Sequence, residues 1–315
     1  MTAFFSIIIP LYNKEHFITD TLNSALNQDF KAFEIIVVND GSTDKSLEKI
    51  KAIGDHRLKV FSIENSGVSA ARNYGIKKAN SEYIVFLDAD DLWEENHLSN
   101  LHKLLKAFPN CGLYATAYSK KQKNKTLKVK YHRIPDTPNW MGILPDYFDA
   151  SKFNTIAWTS AVMVPKIILD NLNGFDEKIT LGAGEDTDLW IRIALKHPVA
   201  FFNSATAIHN LHADNRLSNT HTNRRVYLNL DTYETDAKSN PSLKTYLDIN
   251  RFSLGMQYML VGNKEKAKTY FRSLDPKSLN RKQRFLMSLN RPLLIFFVKL
   301  QKGLRALNIN LTPFH

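Results

Sequence analysis

The first hundred residues alternate between short apolar runs and longer segments of mixed polarity. The apolar runs are rich in β-branched and aromatic side chains: Phe5–Pro10, Phe33–Val38, Leu58–Ile63 and Tyr83–Leu87. Such runs are typical of strands that are buried on both faces of a parallel sheet. Between them lie segments with the length and polarity of covering helices: Glu15–Gln28, Thr43–Ile53 and Val68–Ala79. The order βαβαβαβ predicts an α/β fold with a doubly wound, mostly parallel sheet.

The rest of the chain adds helical patterns and one strongly basic segment. Residues 94–108 have leucines at helical spacing, and Gly112–Ala117 and Ser160–Val164 have the patterns of strands. Between these strands, Lys120–Arg133 contains seven basic residues and no acidic one. We interpret it as a solvated loop or hairpin, with a mobile flap over an anionic ligand as the alternative. Residues 223–306 have helical patterns throughout, which predicts a helical C-terminal extension.

Composition and charge restrict the class of protein. The chain has 315 residues, 43% of them hydrophobic, and one cysteine, Cys111, which cannot form an internal disulfide. These values are ordinary for a globular protein and exclude disordered, collagen-like and disulfide-rich classes. The net charge of +11 is uneven, because residues 1–219 contain 25 basic and 25 acidic side chains, whereas residues 220–315 contain 17 and 6. We therefore expect a domain at 1–219 and a basic helical region at 220–315.

The two ends of the chain bear on where the protein acts. Met1–Leu11 is apolar but lacks a basic start and runs into polar residues, which is unlike a signal peptide. The longest apolar run in the tail, Leu293–Val298, is far shorter than the ~20 residues that cross a bilayer. Arg281–Leu307 interleaves basic and bulky apolar residues, which suits docking on an anionic membrane surface or packing on the rest of the chain. We expect a cytoplasmic protein, with a peripheral position on the inner face of the cytoplasmic membrane as the further hypothesis.

Polar clusters follow three of the predicted strands: Pro10–Asn13, Asn39–Ser42 and Asp88–Asp91. Because the carboxyl ends of parallel strands meet at one edge of a sheet, these clusters should lie close together. Asp88 and Asp90 place two carboxylates directly after a buried strand. A hard divalent cation, Mg²⁺ or Mn²⁺, would offset their repulsion and would also bind phosphate oxygens. The alternative is that Asp90 or Asp91 caps the next helix and the other carboxylates are solvated.

A second acidic cluster opens the predicted helix of Gly184–Arg192. The helix dipole stabilises ionised carboxylates at this end, so Asp186 is a candidate general base for a hydroxyl acceptor. Asp188 stands four residues before Arg192, so a surface ion pair is sufficient to explain it.

Two other segments contain candidate binding residues. Gly67–Asn73 begins a helix with small residues and places Arg72 where it could contact a phosphate or a nucleobase, the alternative being a surface arginine. His209 and His212 are close enough in sequence for one of them to meet a metal or a phosphate. For a single histidine, a structural role is the alternative that we favour.

Together these residues resemble the inverting glycosyltransferases of family 2, which have the GT-A fold. The resemblance covers roughly residues 4–219 and depends on motifs in the order of the family: Ser6–Asn13, Val38–Asp44, Asn65–Asn73, Phe86–Asp91, Gly174–Glu177 and Glu185-Asp186. Each motif alone is weak, whereas chance agreement of all of them in order is negligible.

The resemblance implies a nucleotide site. Pro10 would belong to it, Tyr12 and Asp40 would hold the base, Arg72 would contact the nucleotide, and Asp88 would meet the ribose.

The resemblance also implies a metal and a catalytic site. Asp90 would ligate the Mn²⁺ or Mg²⁺ that bridges the diphosphate, Asp186 would be the catalytic base, and Glu185 would orient the acceptor. His212 best fits the late histidine of the family and would close over the metal-bound diphosphate. The arginine that commonly stands two or three residues before this histidine is absent here.

The resemblance thus predicts an inverting, metal-dependent transferase that moves a sugar from a nucleotide-diphosphate donor, a UDP-sugar above all. The acceptor would be a hydroxyl of a glycan or a lipid-linked glycan in cell-surface polysaccharide or lipopolysaccharide synthesis. One alternative is a catalytically silent nucleotide-sugar-binding protein, although Asp90 and Asp186 are both present. Another is a basic nucleic-acid-binding protein, prompted by the pI of about 9.5. We expect no nucleic-acid partner, because the first 219 residues are balanced in charge and contain no recognisable nucleic-acid module.

Overall fold

The computed structural model describes residues 3–122, 125–213 and 220–306, with side chains to residue 301. It divides into two compact units. The first unit comprises Met1–Tyr147, Thr155–Thr220 and Arg225–Leu228, and the second comprises Phe148–Asn154, His221–Arg224 and Asn229–His315.

The strands of the described residues form one sheet. In chain order they are β1 (Phe5–Leu11), β2 (Phe33–Asp40), β3 (Leu58–Ile63), β4 (Tyr83–Phe86), β5 (Leu92–Trp93), β6 (Leu113–Gln122), β7 (Lys125–Lys128), β8 (Met141–Ile143), β9 (Val162–Pro165) and β10 (Val199–Asn210). The order across the sheet is β3-β2-β1-β4-β9-β6-β10-β5, with β7 beside β6 and β8 beside β10. The pairings β3-β2, β2-β1, β1-β4 and β6-β10 are parallel and contain most of the paired residues, whereas the pairings made by β9 and by the short strands β5, β7 and β8 are antiparallel. The predicted α/β fold with a mostly parallel sheet is thus confirmed.

The helices follow the strands closely in the first part of the chain. In chain order they are α1 (Ile18–Leu26), α2 (Ser46–Lys51), α3 (Val68–Lys78), α4 (His97–Ala107), α5 (Tyr147–Ala150), α6 (Lys166–Asn171), α7 (Glu185–Ala194), α8 (Glu234–Ala237), α9 (Pro241–Leu260), α10 (Lys264–Arg272), α11 (Arg281–Ser288) and α12 (Arg291–Ala306). The predicted helical C-terminal region is confirmed by α8 to α12.

Burial follows the hydrophobic pattern in the centre of the sheet but not at its edge. Every residue of β2 is buried, and so is every residue of β1 except the half-buried Pro10. The expectation of two-sided burial is wrong for β3, in which Lys59 is exposed and Val60 is 36% exposed. The reason is topological, because β3 is the last strand at its end of the sheet and has a neighbour on one side only.

The register of the sheet brings the polar clusters together. β1 runs parallel to both of its neighbours, β2 and β4. Its first residue, Phe5, is paired with Phe33 of β2 and with Tyr83 of β4. The carboxyl ends of β1, β2 and β4 consequently open at the same edge.

The basic segment that follows the start of β6 is a hairpin in its described part. The end of β6 pairs antiparallel with β7, with Ser119 opposite Lys128 and Gln122 opposite Lys125. The hairpin interpretation is thereby confirmed for these residues.

The second unit has a small apolar core beside a buried ionic network. Phe252, Leu274 and Leu279 form the core. Arg251, which is 1% exposed, contacts the buried Asp248 at 3.1 Å and Asp231 at 2.7 Å. A buried charge of this kind needs paired partners, which the network supplies.

In the part of the chain that the structure describes, no helix combines the length and the apolar character needed to cross a bilayer.

Candidate active site

A cavity of about 560 Å³ opens at the shared carboxyl edge of β1, β2 and β4 in the first unit. Its volume lies within the range of small-molecule pockets. Most of the residues named from the sequence line it: Pro10, Tyr12, Asp40, Arg72, Asp88, Asp90, Glu185 and Asp186. Among the described lining residues, six carry a carboxyl group and two, Lys14 and Arg72, carry a permanent positive charge. The fold therefore concentrates negative charge in a concave site.

The loop after β1 has a fixed backbone. Asn13 has a positive φ of 50°, which asparagine tolerates better than most residues. Its side-chain Oδ1 accepts a hydrogen bond of 2.8 Å from the Thr43 N–H, and its own N–H donates to Ser42 Oγ at 3.1 Å. The next N–H, that of Lys14, donates to Ser46 Oγ at 2.8 Å. These bonds tie the loop after β1 to the loop after β2 and explain why α1 starts at Ile18, three residues later than predicted.

Asp40, at the end of β2, organises the start of α3. Its two carboxylate oxygens accept hydrogen bonds from the Ser66 N–H at 2.7 Å and the Gly67 N–H at 2.9 Å. Burial raises the pKa of Asp40, and the two backbone hydrogen bonds oppose that rise. Tyr12, which is 43% exposed, and Asp40 both border the cavity.

Arg72 connects two acidic clusters that are far apart in sequence. Its Nη2 contacts Asp88 Oδ1 at 2.7 Å, its Nη1 contacts Glu185 Oε1 at 3.0 Å, and its side chain is only 4% exposed. The guanidinium also lies 5.1 Å from the centre of the Phe175 ring. Burial works against the charge, yet Asp88 and Glu185 raise the pKa of Arg72, so it stays protonated. Arg72 lines the cavity, but the contacts that the structure shows are with protein carboxylates.

The acidic cluster after β4 is divided between three environments. Asp88 pairs with Arg72, while Asp90 Oδ2 lies 2.7 Å from Lys14 Nζ. Asp91 is 1% exposed and accepts hydrogen bonds from Ser160 Oγ at 2.6 Å and from the Asn210 N–H at 3.0 Å.

Asp91 is therefore a buried residue that links neighbouring elements, and it is not exposed to solvent at a helix start. Trp158 Nε1 also donates to its Oδ2, at 3.0 Å. Burial, together with the nearby charges of Asp90 and Asp88, raises the pKa of Asp91 to about 8, although the hydrogen bonds from Ser160 and Asn210 oppose that rise. Its contacts join the end of β4 to the end of β10, which shapes the acidic side of the cavity.

Oxygen ligands of this kind fit a hard divalent cation. In the described residues, no three His, Cys, Asp or Glu side chains are grouped so as to hold a metal ion by themselves. Mg²⁺ in phosphate sites typically takes only one or two carboxylates and completes its coordination with phosphate oxygens and water. Asp90 and Asp88, on the wall of an acid-rich cavity, meet that requirement.

The acids at the start of α7 have different surroundings. Gly184 precedes them with φ of +100°, a backbone conformation that favours glycine, and a Cβ there would overlap the end of the Leu228 side chain. Glu185 is 5% exposed and faces Arg72, and burial raises its pKa. Asp186 is only partly buried and accepts a hydrogen bond of 3.2 Å from Thr159 Oγ1. Asp186 is thus the carboxylate of this pair that is open to the cavity.

The predicted ion pair on the same helix is confirmed. Arg192 Nη2 lies 2.8 Å from Asp188 Oδ2, and Asp188 does not line the cavity.

Of the two candidate histidines, the structure places His209 at the cavity. His209 is 8% exposed, lines the cavity and stacks on Trp158 with a centroid distance of 4.0 Å. His212 is exposed and is not among the lining residues, and its N–H donates to Asn210 Oδ1 at 3.2 Å. The rest of its motif, residues 214–218, lies outside the described residues, so the role of His212 stays a prediction.

Sequence reasoning missed Lys14, Trp158 and Thr159 as residues of the site, and it did not foresee that Asp91 is buried. Lys14 had a detectable signal, because it directly follows the polar cluster at the end of the first strand. Trp158 had none, since it stands outside the strand and helix patterns.

Comparisons with known proteins agree with this geometry. The model of the family described as Glycosyl transferase family 2 matches residues 6–167. An "Uncharacterized glycosyltransferase" of Rickettsia bellii is 34% identical over 198 residues, which is 61% of this chain and 26% of the relative. "Uncharacterized glycosyltransferase RT0329" of Rickettsia typhi is 32% identical over 234 residues, which is 73% of this chain and 69% of the relative. "Minor teichoic acid biosynthesis protein GgaA" of Bacillus subtilis is 42% identical over 106 residues, 31% of this chain and 24% of the relative.

These matches are partial with respect to the relatives. The chain spans between 26% and 31% of the length of the first three Rickettsia relatives that it matches.

Solved structures show the same fold. S. aureus TarS 1-349 in complex with UDP-GlcNAc has a TM-score of 0.57 and 19% identity, over 88% of this chain and 74% of that chain. The mannosyltransferase PcManGT from Pyrobaculum calidifontis, in complex with GDP-Man and Mn²⁺, has a TM-score of 0.57 and 16% identity, over 95% and 80%. At these identities the likeness establishes the GT-A fold alone. The family model matches about half of the chain, and the alignment with the R. typhi relative covers 69% of that relative. The chain therefore belongs to glycosyl transferase family 2.

Proposed function

We propose that this protein transfers one sugar, with inversion, from a nucleotide-diphosphate donor to a hydroxyl group. The observation that carries the proposal is the cavity at the carboxyl edge of the sheet, which Asp186, Asp90 and the two acids paired with Arg72 all line. A partly exposed carboxylate at a helix start is stabilised in its ionised form and can serve as the general base that a transferase needs.

The donor would occupy the side of the cavity formed by β1, β2 and β4. Tyr12 and Asp40 would flank the base, next to Pro10, and Asp88 would face the ribose. Because Asp88 and Glu185 hold Arg72 from both sides, we assign Arg72 to positioning these carboxylates as well as to contact with the nucleotide.

The reaction needs one base. The acceptor oxygen would attack the anomeric carbon while its proton passes to Asp186, and the bond between that carbon and the diphosphate oxygen would break with its electron pair leaving on the diphosphate. Glu185 would help to orient the acceptor. A bound Mn²⁺ or Mg²⁺, held by Asp90, would supply stabilisation of the negative charge on the leaving diphosphate.

The acceptor class and the location are also proposals. The named relative GgaA belongs to teichoic acid biosynthesis, which supports a glycan or lipid-linked glycan acceptor at the cell surface. We propose that residues 1–219 carry the transfer and that residues 220–315 bring the protein to an anionic membrane surface, from the cytoplasmic side.

The first prediction concerns the donor and the metal. In a thermal-shift panel of nucleotides and nucleotide sugars, we expect a UDP-sugar to raise the melting temperature in the presence of Mn²⁺ and much less in excess chelator. Asp90→Asn should lose the metal response and the transfer together. Asp146→Asn, a loop variant away from the cavity lining, is the matched control and should respond like the native protein. Full transfer in excess chelator would contradict the metal assignment.

Helix α12 carries the observation that supports membrane docking. Its Leu294 is 2% exposed and packs within the second unit, whereas Leu293, Phe296 and Leu300 are 47%, 58% and 45% exposed. These three residues are spaced three and four apart, so they share one helix face. Phe285 of the preceding α11, 52% exposed, adds to the exposed apolar surface. The helix therefore has one apolar face that is packed and a second that is open to solvent.

Basic charge accompanies this open face. From Pro276 to the last residue there are eight basic side chains and no acidic one. Arg284 and Lys299, on α11 and α12, are exposed. The predicted contributions of Lys302, Leu304, Arg305 and Leu307 concern side chains outside the described residues. A face with large apolar and basic side chains and no acid suits anionic lipid, to which each basic residue contributes about 1 kcal/mol.

Vesicle co-sedimentation tests the docking. We expect salt-sensitive binding to vesicles that contain phosphatidylglycerol and no binding to pure phosphatidylcholine vesicles. The double variants Phe296→Ser/Leu300→Ser and Arg284→Gln/Lys299→Gln should each lose most of this binding. The matched control, Lys264→Gln/Lys268→Gln, removes two exposed lysines from the acid-containing α10 and should bind like the native protein. Equal recovery of the protein in the supernatant with both lipids would show that this region is simply part of the fold and does not dock on a membrane.

A further inference from the structure

The ion pair of Lys14 and Asp90 involves the carboxylate that would hold the proposed metal. Lys14 Nζ lies 2.7 Å from Asp90 Oδ2, and the two side chains are 12% and 16% exposed on the wall of the cavity. At this distance the ammonium donates a charge-assisted hydrogen bond. A divalent cation bound to the same carboxylate competes with that contact, because it brings a second positive charge close to the ammonium.

The backbone of Lys14 is held in place, so its position is built into the fold. Its N–H donates to Ser46 Oγ at 2.8 Å, and its carbonyl accepts hydrogen bonds from the Phe17 and Ile18 N–H groups, both at 3.0 Å. The residues on either side are also fixed, because Asn13 binds the loop after β2 and the Glu15 N–H donates to Asp44 Oδ2 at 3.0 Å. Only the four-carbon side chain of Lys14 is left to move, and such a chain can redirect its charge over several ångströms.

Arg72, the other positively charged residue among those described that line the cavity, already has carboxylate partners of its own. Arg72 is buried between Asp88 and Glu185 and contacts both within 3.0 Å. Among the described residues that line the cavity, Lys14 is thus the cation that is placed to exchange one partner for another.

We propose that Lys14 is the resident counter-ion of Asp90, that it gives way when a divalent cation binds, and that it then pairs with the donor diphosphate. This inference rests on the proposed function, since it requires a diphosphate donor. The physical consequence is a coupling between two ligands. The metal alone must displace the ammonium and leave it near a second positive charge, whereas the metal with the diphosphate provides that ammonium with a new anionic partner. Lys14 would therefore weaken metal binding in the absence of donor and strengthen it in the presence of donor.

The coupling can be measured without following the reaction. Isothermal titration with Mn²⁺ alone, with UDP alone and with UDP in saturating Mn²⁺ yields the coupling factor, which must be the same from either ligand. The variant is Lys14→Met, which keeps most of the length of the side chain and removes its charge. We expect Mn²⁺ to bind this variant about tenfold more tightly than the native protein when UDP is absent. In saturating Mn²⁺, we expect UDP to bind it about tenfold more weakly.

A matched control is available on the same side of the fold. Lys49 donates from its Nζ to the Glu15 carbonyl at 2.7 Å and does not line the cavity, so Lys49→Met should leave both affinities unchanged. Lys14→Gln provides a second neutral variant if Lys14→Met does not fold, with circular dichroism as the check.

The outcomes separate this inference from the proposed function. Equal Mn²⁺ affinity of Lys14→Met and the native protein without UDP, including no measurable binding in both, overturns the counter-ion role. Weaker UDP binding with unchanged Mn²⁺ affinity also overturns it and leaves Lys14 as a simple phosphate ligand. If the native protein binds neither UDP nor GDP in Mn²⁺, the proposed function fails and the diphosphate half of the inference fails with it, whereas the Mn²⁺ titration still decides the counter-ion half.

Discussion

Asp186→Asn is expected to reduce transfer by ~100-fold or more while leaving donor affinity nearly unchanged, because loss of a general base typically costs between 10² and 10⁴ in rate. The amide is almost the same size as the carboxylate but cannot take up the proton of the acceptor hydroxyl. Asp186 lies in the first turn of α7 and contacts Thr159 and Thr187, and Asn can keep hydrogen bonds to both. In the proposed function, donor binding would depend instead on the residues after β1, β2 and β4.

The measurement is a pair of assays on the same variant. Transfer is followed as release of nucleoside diphosphate in the presence of acceptor, and donor affinity is taken from thermal shift or calorimetry in Mn²⁺. Asp188→Asn is the control, because it makes the same change two residues along the same helix at a carboxylate that pairs with Arg192 outside the cavity. It should retain transfer within a few fold. Parallel loss of donor affinity and transfer in Asp186→Asn would assign Asp186 to structure instead of to proton transfer.

Arg72→Met is expected to destabilise the first unit by about 3–5 kcal/mol, the usual effect of removing one partner from a buried ionic group. The variant keeps most of the apolar length of the side chain but leaves Asp88 and Glu185 without their shared cation. Glu185, at 5% exposure, is the more affected, because its carboxylate is buried and its pKa is already raised by burial. We expect transfer to fall as well, since both carboxylates border the cavity.

The chain offers a selective probe for this experiment. All four tryptophans, Trp93, Trp140, Trp158 and Trp190, belong to the first unit, so urea unfolding followed by tryptophan fluorescence reports on that unit. Arg57→Met is the matched control, because Arg57 pairs with Asp55 at a partly exposed site and should change stability by only about 1 kcal/mol.

A second variant separates the ion pair from simple packing. Arg72→Met/Glu185→Gln removes one buried negative charge together with the cation, so part of the lost stability should return while transfer stays low. A loss of under 1 kcal/mol in Arg72→Met would show that the bridge contributes little to the fold.

The sequence by itself determined the class of the fold and most of the residues around the cavity. The apolar runs of β1, β2 and β4 and the polar clusters behind them are local patterns, and local patterns depend on neighbours two to four residues apart. The rule that parallel strands end at one edge then brings Asp40, Asp88 and Asp90 together without any knowledge of side-chain contacts. The same reasoning predicted the ion pair of Asp188 with Arg192, four residues apart on one helix.

Only the tertiary structure decided the partners of the charged side chains, because those partners are distant in sequence. Lys14 and Asp90 are 76 residues apart, and Arg72 and Glu185 are 113 apart, so no spacing rule connects them. The exposure of β3 depends on its place as the last strand of the sheet, which the order of the strands decides. The burial of Asp91 depends on Ser160 and Asn210, which contact it from other elements. A sequence pattern specifies which face of an element is apolar. The position of each charged side chain in the cavity depends instead on many contacts together, and those contacts exist only after the chain has folded.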